Sequence, residues 1–156
     1  MEQANTGTNL LQVAEIELVY KSKVKPSQRP QVKKSQEIFE LFLQYWDENK
    51  IEYIEEFKVM YLNRAHRVLG IYTVSSGSER GTIGDPRQVF TAALKANAAL
   101  IVLCHNHPSG KLSPSIPDKE LTARMKECGR LLEVTVLDHL IISAEGYFSF
   151  QDEGLM

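Results

Sequence analysis

The spacing of apolar positions changes several times along the chain, and each change marks an element. Val13 to Tyr20 alternates, with Ile16, Leu18 and Tyr20 set against Glu15 and Glu17, which predicts a strand with one wetter face. Lys21 to Lys34 loses the alternation and reads as a linker of Lys, Pro, Ser and Gln. From Ser35, a residue suited to an N-cap, Ile38, Phe39, Leu41, Phe42, Tyr45 and Trp46 recur at helical spacing, predicting a helix to about Glu48. Glu52 to Asn63 reads as a strand with Phe57, Val59 and Tyr61 on one side. About Arg67 to Ser75 is its partner across the turn Asn63-Arg64-Ala65-His66. Ser76 to Gly84 is a glycine-containing loop without the spacing of a phosphate cradle. Asp85-Pro86 starts a helix as N-cap and N1, continued by Val89, Phe90, Ala93, Leu94 and Asn97.

Ala98 to Cys104 is apolar throughout and predicts a strand buried on both faces. It feeds His105-Asn106-His107-Pro108-Ser109-Gly110, after which Asp118 stands at the start of another helical pattern, Leu121, Met125 and Cys128, with Gly129 as its expected stop. Leu132 to Leu137, Leu140 to Ser143 and Tyr147 to Phe150 read as the remaining strands. Histidines two apart on an extended strand point to the same side. His105, His107 and Asp118 therefore offer two imidazoles and a carboxylate around one small volume, the protein half of an open Zn²⁺ site with a fourth position for water. The competing reading is a pair of polar residues satisfied by backbone and solvent.

Length and charge narrow the function classes. With 156 residues, 43% of them hydrophobic, the chain makes one α/β domain around a curved sheet. Its formal net charge of −2 gives no global field for nucleic acid. No apolar run is long enough to span a membrane, and the amino terminus lacks the layout of a signal peptide. Cys104 and Cys128 read as reduced core thiols, so a cytoplasmic location is expected. Cys104 should face away from His105, which argues against a nucleophile.

Hydrolysis at such a site needs a carboxylate that does not bind the metal. Glu55 and Glu56, before Phe57, are the candidates, and only one of two adjacent strand residues can face the site. Ser115, three residues before Asp118, is placed either to cap that helix or to donate to a developing oxyanion.

His105-x-His107, seven residues, Ser115, two residues and Asp118 resembles the JAMM (MPN+) metalloprotease signature. More narrowly, Pro86-Arg87-Gln88-Val89-Phe90, the His105 to Gly110 stretch, Pro114-Ser115 and Leu137-Asp138-His139 resemble the RadC-type JAB domain. The resemblance runs from about residue 35 to 152. It implies an MPN fold, layered like cytidine deaminase, a curved mixed sheet with flanking helices; residues 1–34 are then a tail, a strand and a basic linker, and 35–156 the domain. It implies Zn²⁺ on His105, His107 and Asp118, Ser115 at the oxyanion, and Glu55, two before the phenylalanine, as general base. The activity it implies is hydrolysis of an amide or isopeptide bond in a protein or peptide. His139 fits the pattern as a packed, hydrogen-bonded residue rather than a fourth ligand.

Two other classes stand beside this one. Longer RadC proteins carry a helix-hairpin-helix region for DNA, which residues 1–34 do not supply; a DNA-repair or DNA-processing role would instead engage nucleic acid through the basic linker Lys21 to Lys34. A non-catalytic MPN interaction module is the third. A zinc nucleoside deaminase is excluded, because His107 stands where its Glu should be and no Cys-x-x-Cys is present.

Overall fold

Among the described residues, three amphipathic helices cover the two faces of one five-stranded sheet. The computed structural model describes residues 13–77 and 84–156. In chain order come α1 (Ser35–Gln44), β1 (Glu56–Leu62), β2 (Val68–Ser76), α2 (Pro86–Lys95), β3 (Leu100–Asn106), α3 (Ile116–Leu132), β4 (Thr135–Ile142) and β5 (Tyr147–Ser149), after a 3₁₀ turn at Pro26–Gln28. The strand order is β2-β1-β3-β4-β5. All neighbours are antiparallel except β3 and β4, which run parallel with α3 as their crossover. This is the mixed, helix-flanked sheet that the sequence and its resemblance imply.

Alternation along the central strands builds two cores. Met60, Leu62, Val102, Cys104, Leu140 and Ile142 face α1, where Ile38, Phe39 and Phe42 are buried, and Trp46 just beyond it. Phe57, Val59, Tyr61, Ile101 and Leu103 face α2 and α3, meeting Val89, Phe90, Ala93 and Met125. Each of these large side chains contributes about 1.5–3 kcal/mol by leaving water. Cys104 lies opposite His105, as the strand period requires, and burial pushes its thiol up, so it stays protonated.

Several boundaries differ from the sequence reading, each for a visible reason. Val13 to Tyr20 forms no strand: Val13, Ile16 and Leu18 are exposed, and the segment touches the sheet through the Tyr20 hydroxyl, which donates to the Leu69 carbonyl at 2.6 Å. Alternation alone does not make a strand when no neighbour pairs the backbone. The linker docks at its end, where Val32 is buried and Gln31 bridges Arg67, while Lys21, Lys23, Lys25, Lys33 and Lys34 stay exposed. Lys34 rather than Ser35 occupies the N-cap of α1, because the Glu37 carboxylate reaches back to the amides of Lys33 and Lys34. That helix ends at Gln44, before Asp47, whose side chain accepts from the Asn49 amide and starts a new turn.

Gly129 does not stop α3, which runs on to a left-handed Glu133. A Cβ at 129 would lie 2.2 Å from the Val134 carbonyl oxygen, so glycine is there for close approach rather than termination. The two strands expected over Leu132–Ser143 are one, because Asp138 and His139, which looked like a break, are buried and satisfied within β4. The loop expected over Ser76–Gly84 falls largely on residues 78–83, and the tail on 1–12, outside the described residues.

Candidate metal centre

The site forms where β3 ends and α3 begins. Strand β3 reaches Asn106, so His105 sits within the ladder opposite Phe57 of β1 and Ile141 of β4, and His107 lies just beyond the strand. The Pro108-Ser109-Gly110 turn folds back at once. The Gly110 amide donates to the His107 carbonyl, and Gly110 takes φ +81°, a conformation that glycine adopts without strain. The return brings the Lys111 carbonyl oxygen to 2.7 Å from His107 Nδ1. A carbonyl only accepts, so the His107 ring proton sits on Nδ1 and the neutral ring presents its Nε2 lone pair to the site.

Asp118 arrives from the other element. The Ser115 hydroxyl oxygen caps α3 by accepting from the Asp118 amide at 3.1 Å, and Asp118 Oδ2 accepts from the Ser115 amide at 2.8 Å. Pro117 stands within the first turn. Asp118 is therefore inside the helix, which begins at Ile116, and a first-turn acid also complements the helix dipole. The reciprocal cap fixes the carboxylate against the two rings.

The distances fit a metal. His105 Nε2 and His107 Nε2 are 3.0 Å apart, His105 Nε2 lies 3.3 Å from Asp118 Oδ1, and His107 Nε2 lies 3.5 Å from Asp118 Oδ2. A tetrahedron with bonds of about 2.0 Å has edges of about 3.3 Å. Two imidazole nitrogens and one carboxylate oxygen are also the donor set that zinc takes when a fourth position stays open. Electrostatics agree. Burial opposes ionisation of Asp118, yet the neighbouring His105 and His107 rings, with the Ser115 amide, hold its carboxyl well below the usual range. The Asp118 carboxylate beside it raises the His107 pKa, favouring the protonated ring against the effect of partial burial. Negative charge thus persists at the point where a cation would sit.

Glu55 shares the site. One carboxylate oxygen of Glu55 and one nitrogen each of His105 and His107 lie within 4.8 Å of one another. Glu55 immediately precedes β1, on the Phe57 side of the sheet. Glu56 takes the opposite face, where its carboxylate lies 3.8 Å from Lys58 Nζ, itself over the Trp46 ring. Of the tandem glutamates, Glu55 is the one brought to the histidines.

Two residues without an assigned role support this arrangement. Asn106, fully buried, accepts from the Glu56 amide at 2.7 Å and donates to the Ile51 and Ile54 carbonyls, tying the segment that bears Glu55 to the histidine strand. The signal was available, since an amide side chain in an otherwise apolar strand must find partners. Thr122 lies one helical turn after Asp118, where the apolar spacing of α3 draws attention to Leu121 instead. His139 is buried and hydrogen-bonded, with burial holding its pKa well below the ordinary value, and its ring stacks on Phe150 at 4.8 Å.

The sequence matches the family described as RadC-like JAB domain over residues 32–155. Similar proteins include a UPF0758 protein of Flavobacterium johnsoniae, 48% identical over 101 residues, which are 65% of this chain and 44% of that protein. UPF0758 protein STH371 of Symbiobacterium thermophilum is 41% identical over 103 residues, 66% of this chain and 44% of its own. A UPF0758 protein of Rubrobacter xylanophilus is 43% identical over 102 residues, 65% and 44%. The aligned region thus spans less than half the length of these relatives, and their names assign no reaction. Among the described residues no helix is long and apolar enough to cross a membrane. Since the match takes in the whole sheet, its three helices and every side chain that converges on the imidazole pair, the chain belongs to the RadC-like JAB domain family.

Proposed function

We propose that this domain is a zinc-dependent hydrolase that cleaves an amide or isopeptide bond in a protein or peptide. One observation carries the reading: two imidazole nitrogens and a capped carboxylate meet at tetrahedral edge lengths, with a second carboxylate, Glu55, at the same two rings. His105, His107 and Asp118 are the residues that would hold the ion. When bound, zinc makes water acidic near neutral pH and withdraws electron density from a carbonyl.

The chain's own groups supply the rest. Glu55 accepts a proton from the attacking water and returns it to the departing amine nitrogen, so one water is consumed and an acid and an amine are released. The Ser115 cap uses an oxygen lone pair and leaves the hydroxyl proton to donate to the oxyanion. Asp118 has a different task from Glu55, because the helix cap commits its carboxylate to one orientation.

The test begins with protein purified without chelator or metal-binding tag. Metal analysis is expected to find zinc, and Glu55→Gln is expected to keep it while losing cleavage of a fluorescence-quenched peptide library and of isopeptide-linked lysine peptides. Absence of zinc, together with an unchanged melting temperature on its addition, overturns the metal reading. Full activity in Glu55→Gln overturns the assignment of the base.

A further inference from the structure

The side of His105 away from the site leads into a buried chain of hydrogen bonds that returns to Asp118. His105 Nδ1 lies 2.8 Å from His139 Nε2. His139 Nδ1 lies 2.6 Å from the Thr122 hydroxyl oxygen, which in turn lies 2.7 Å from the Asp118 backbone carbonyl oxygen. His105, His139 and Thr122 are all at most 2% exposed, so water cannot substitute for any link. Strand β4 places His139 opposite Leu103 of β3, and its ring is clamped between Phe150, stacked at 14°, and the edge of Phe57. With both nitrogens engaged in this chain, His139 has none to offer as a ligand.

We infer that His139 and Thr122 are positioning residues that hold His105 as its Nδ1–H tautomer and so aim its Nε2 lone pair at the metal position. The inference rests on the metal reading above. The protons are assigned link by link. A carbonyl only accepts, so the Thr122 proton goes to Asp118 and the Thr122 oxygen receives the His139 Nδ1 proton. His139 Nε2 is then left with a lone pair, which accepts the His105 Nδ1 proton. Asp118 closes the circuit at both ends, with its carboxylate facing His105 Nε2 and its carbonyl terminating the chain. The reverse order, with Thr122 donating to His139, places the His105 proton on Nε2, where it blocks coordination. A ligand ring whose far nitrogen is held in this way is fixed in both orientation and basicity.

The test uses the full chain loaded with zinc and labelled with ¹⁵N-histidine. Long-range ¹H–¹⁵N correlation is expected to show His105 and His139 both protonated on Nδ1; a proton on Nε2 of either ring overturns the relay. His139→Phe keeps an aromatic ring against Phe150 but removes the acceptor. Its zinc affinity, measured by competition with a chromogenic chelator, is expected to fall about 10–100-fold. His139→Gln, whose carbonyl accepts and whose amide donates, is expected to recover most of that loss, and Thr122→Val to lose affinity where Thr122→Ser does not. Wild-type affinity in His139→Phe overturns the relay and leaves the metal reading standing. A wild-type protein that takes up no zinc overturns both. Should His139→Phe not fold, the tautomer spectrum and the Thr122 pair decide.

Discussion

Replacing Asn106 with alanine tests how the site is held together. The side chain accepts from the Glu56 amide at 2.7 Å and donates to the Ile51 and Ile54 carbonyls at 2.7 and 2.8 Å. Asn106→Ala strands one buried N–H and removes a donor from two carbonyls. Each such group costs about 1–3 kcal/mol, and because some carbonyls find other partners the sum is roughly 3–5 kcal/mol. A domain of this kind has about 5–15 kcal/mol to lose, so the variant folds but melts lower. At about 2–4 °C per kcal/mol, the drop is roughly 10 °C. Thermal denaturation of metal-free protein by circular dichroism, with urea midpoints as a check, measures it. The same bonds station Glu55, so peptide cleavage should fall by roughly tenfold or more while zinc affinity changes less. A melting point lowered by less than about 2 °C would show that segment 51–56 is held by other contacts, and the reasoning would fail.

Added zinc at about a hundredfold over its dissociation constant should stabilise the protein by about 2.7 kcal/mol, hence roughly 5–10 °C, and chelator or Asp118→Ala should abolish the shift. Gly129→Ala drives a methyl to 2.2 Å from the Val134 carbonyl oxygen, so backbone must move; a loss of about 1–3 kcal/mol or more is expected in urea denaturation, and an unchanged midpoint refutes the close approach. Asp138 has its pKa raised by burial, against hydrogen bonds from Ser149 and the amides of Gln151 and His139. A carboxyl whose folded pKa exceeds its unfolded value costs stability on ionising, so wild type should lose ground to Asp138→Asn between about pH 4 and about pH 7. Urea midpoints of the pair at both values check the sign, and the opposite trend rejects it.

What the sequence discloses is whatever local chemistry decides. The apolar run before His105 specifies a buried strand, the two-residue spacing brings two rings to one side, and Ser115 with Asp118 is a helix start in almost any context. What it conceals depends on partners distant in the chain. Val13 to Tyr20 has the period of a strand but no neighbour to pair it. Gly129 carries a helix-stop signal, yet its hydrogen side chain answers to Val134 pressing against it. Asp138 and His139 read as a break because their partners, Ser149, Thr122 and His105, lie on other elements. For the same reason Glu55 and Glu56 separate only once β1 is seen, with Lys58 drawing Glu56 to the far face.

The paired bonds between Ser115 and Asp118 also bear on how an ion would enter. In small domains that fold around their metal, much of the binding energy is absorbed in ordering the chain. Here the carboxylate is already locked into a helix start, and each ring is anchored at its rear nitrogen, His107 by a carbonyl and His105 by another imidazole. On the proposed metal reading, loading and folding would be separate events: the empty and filled forms would share one backbone, and the pocket would act as a rigid socket whose selectivity is set by the size and chemistry of what drops in.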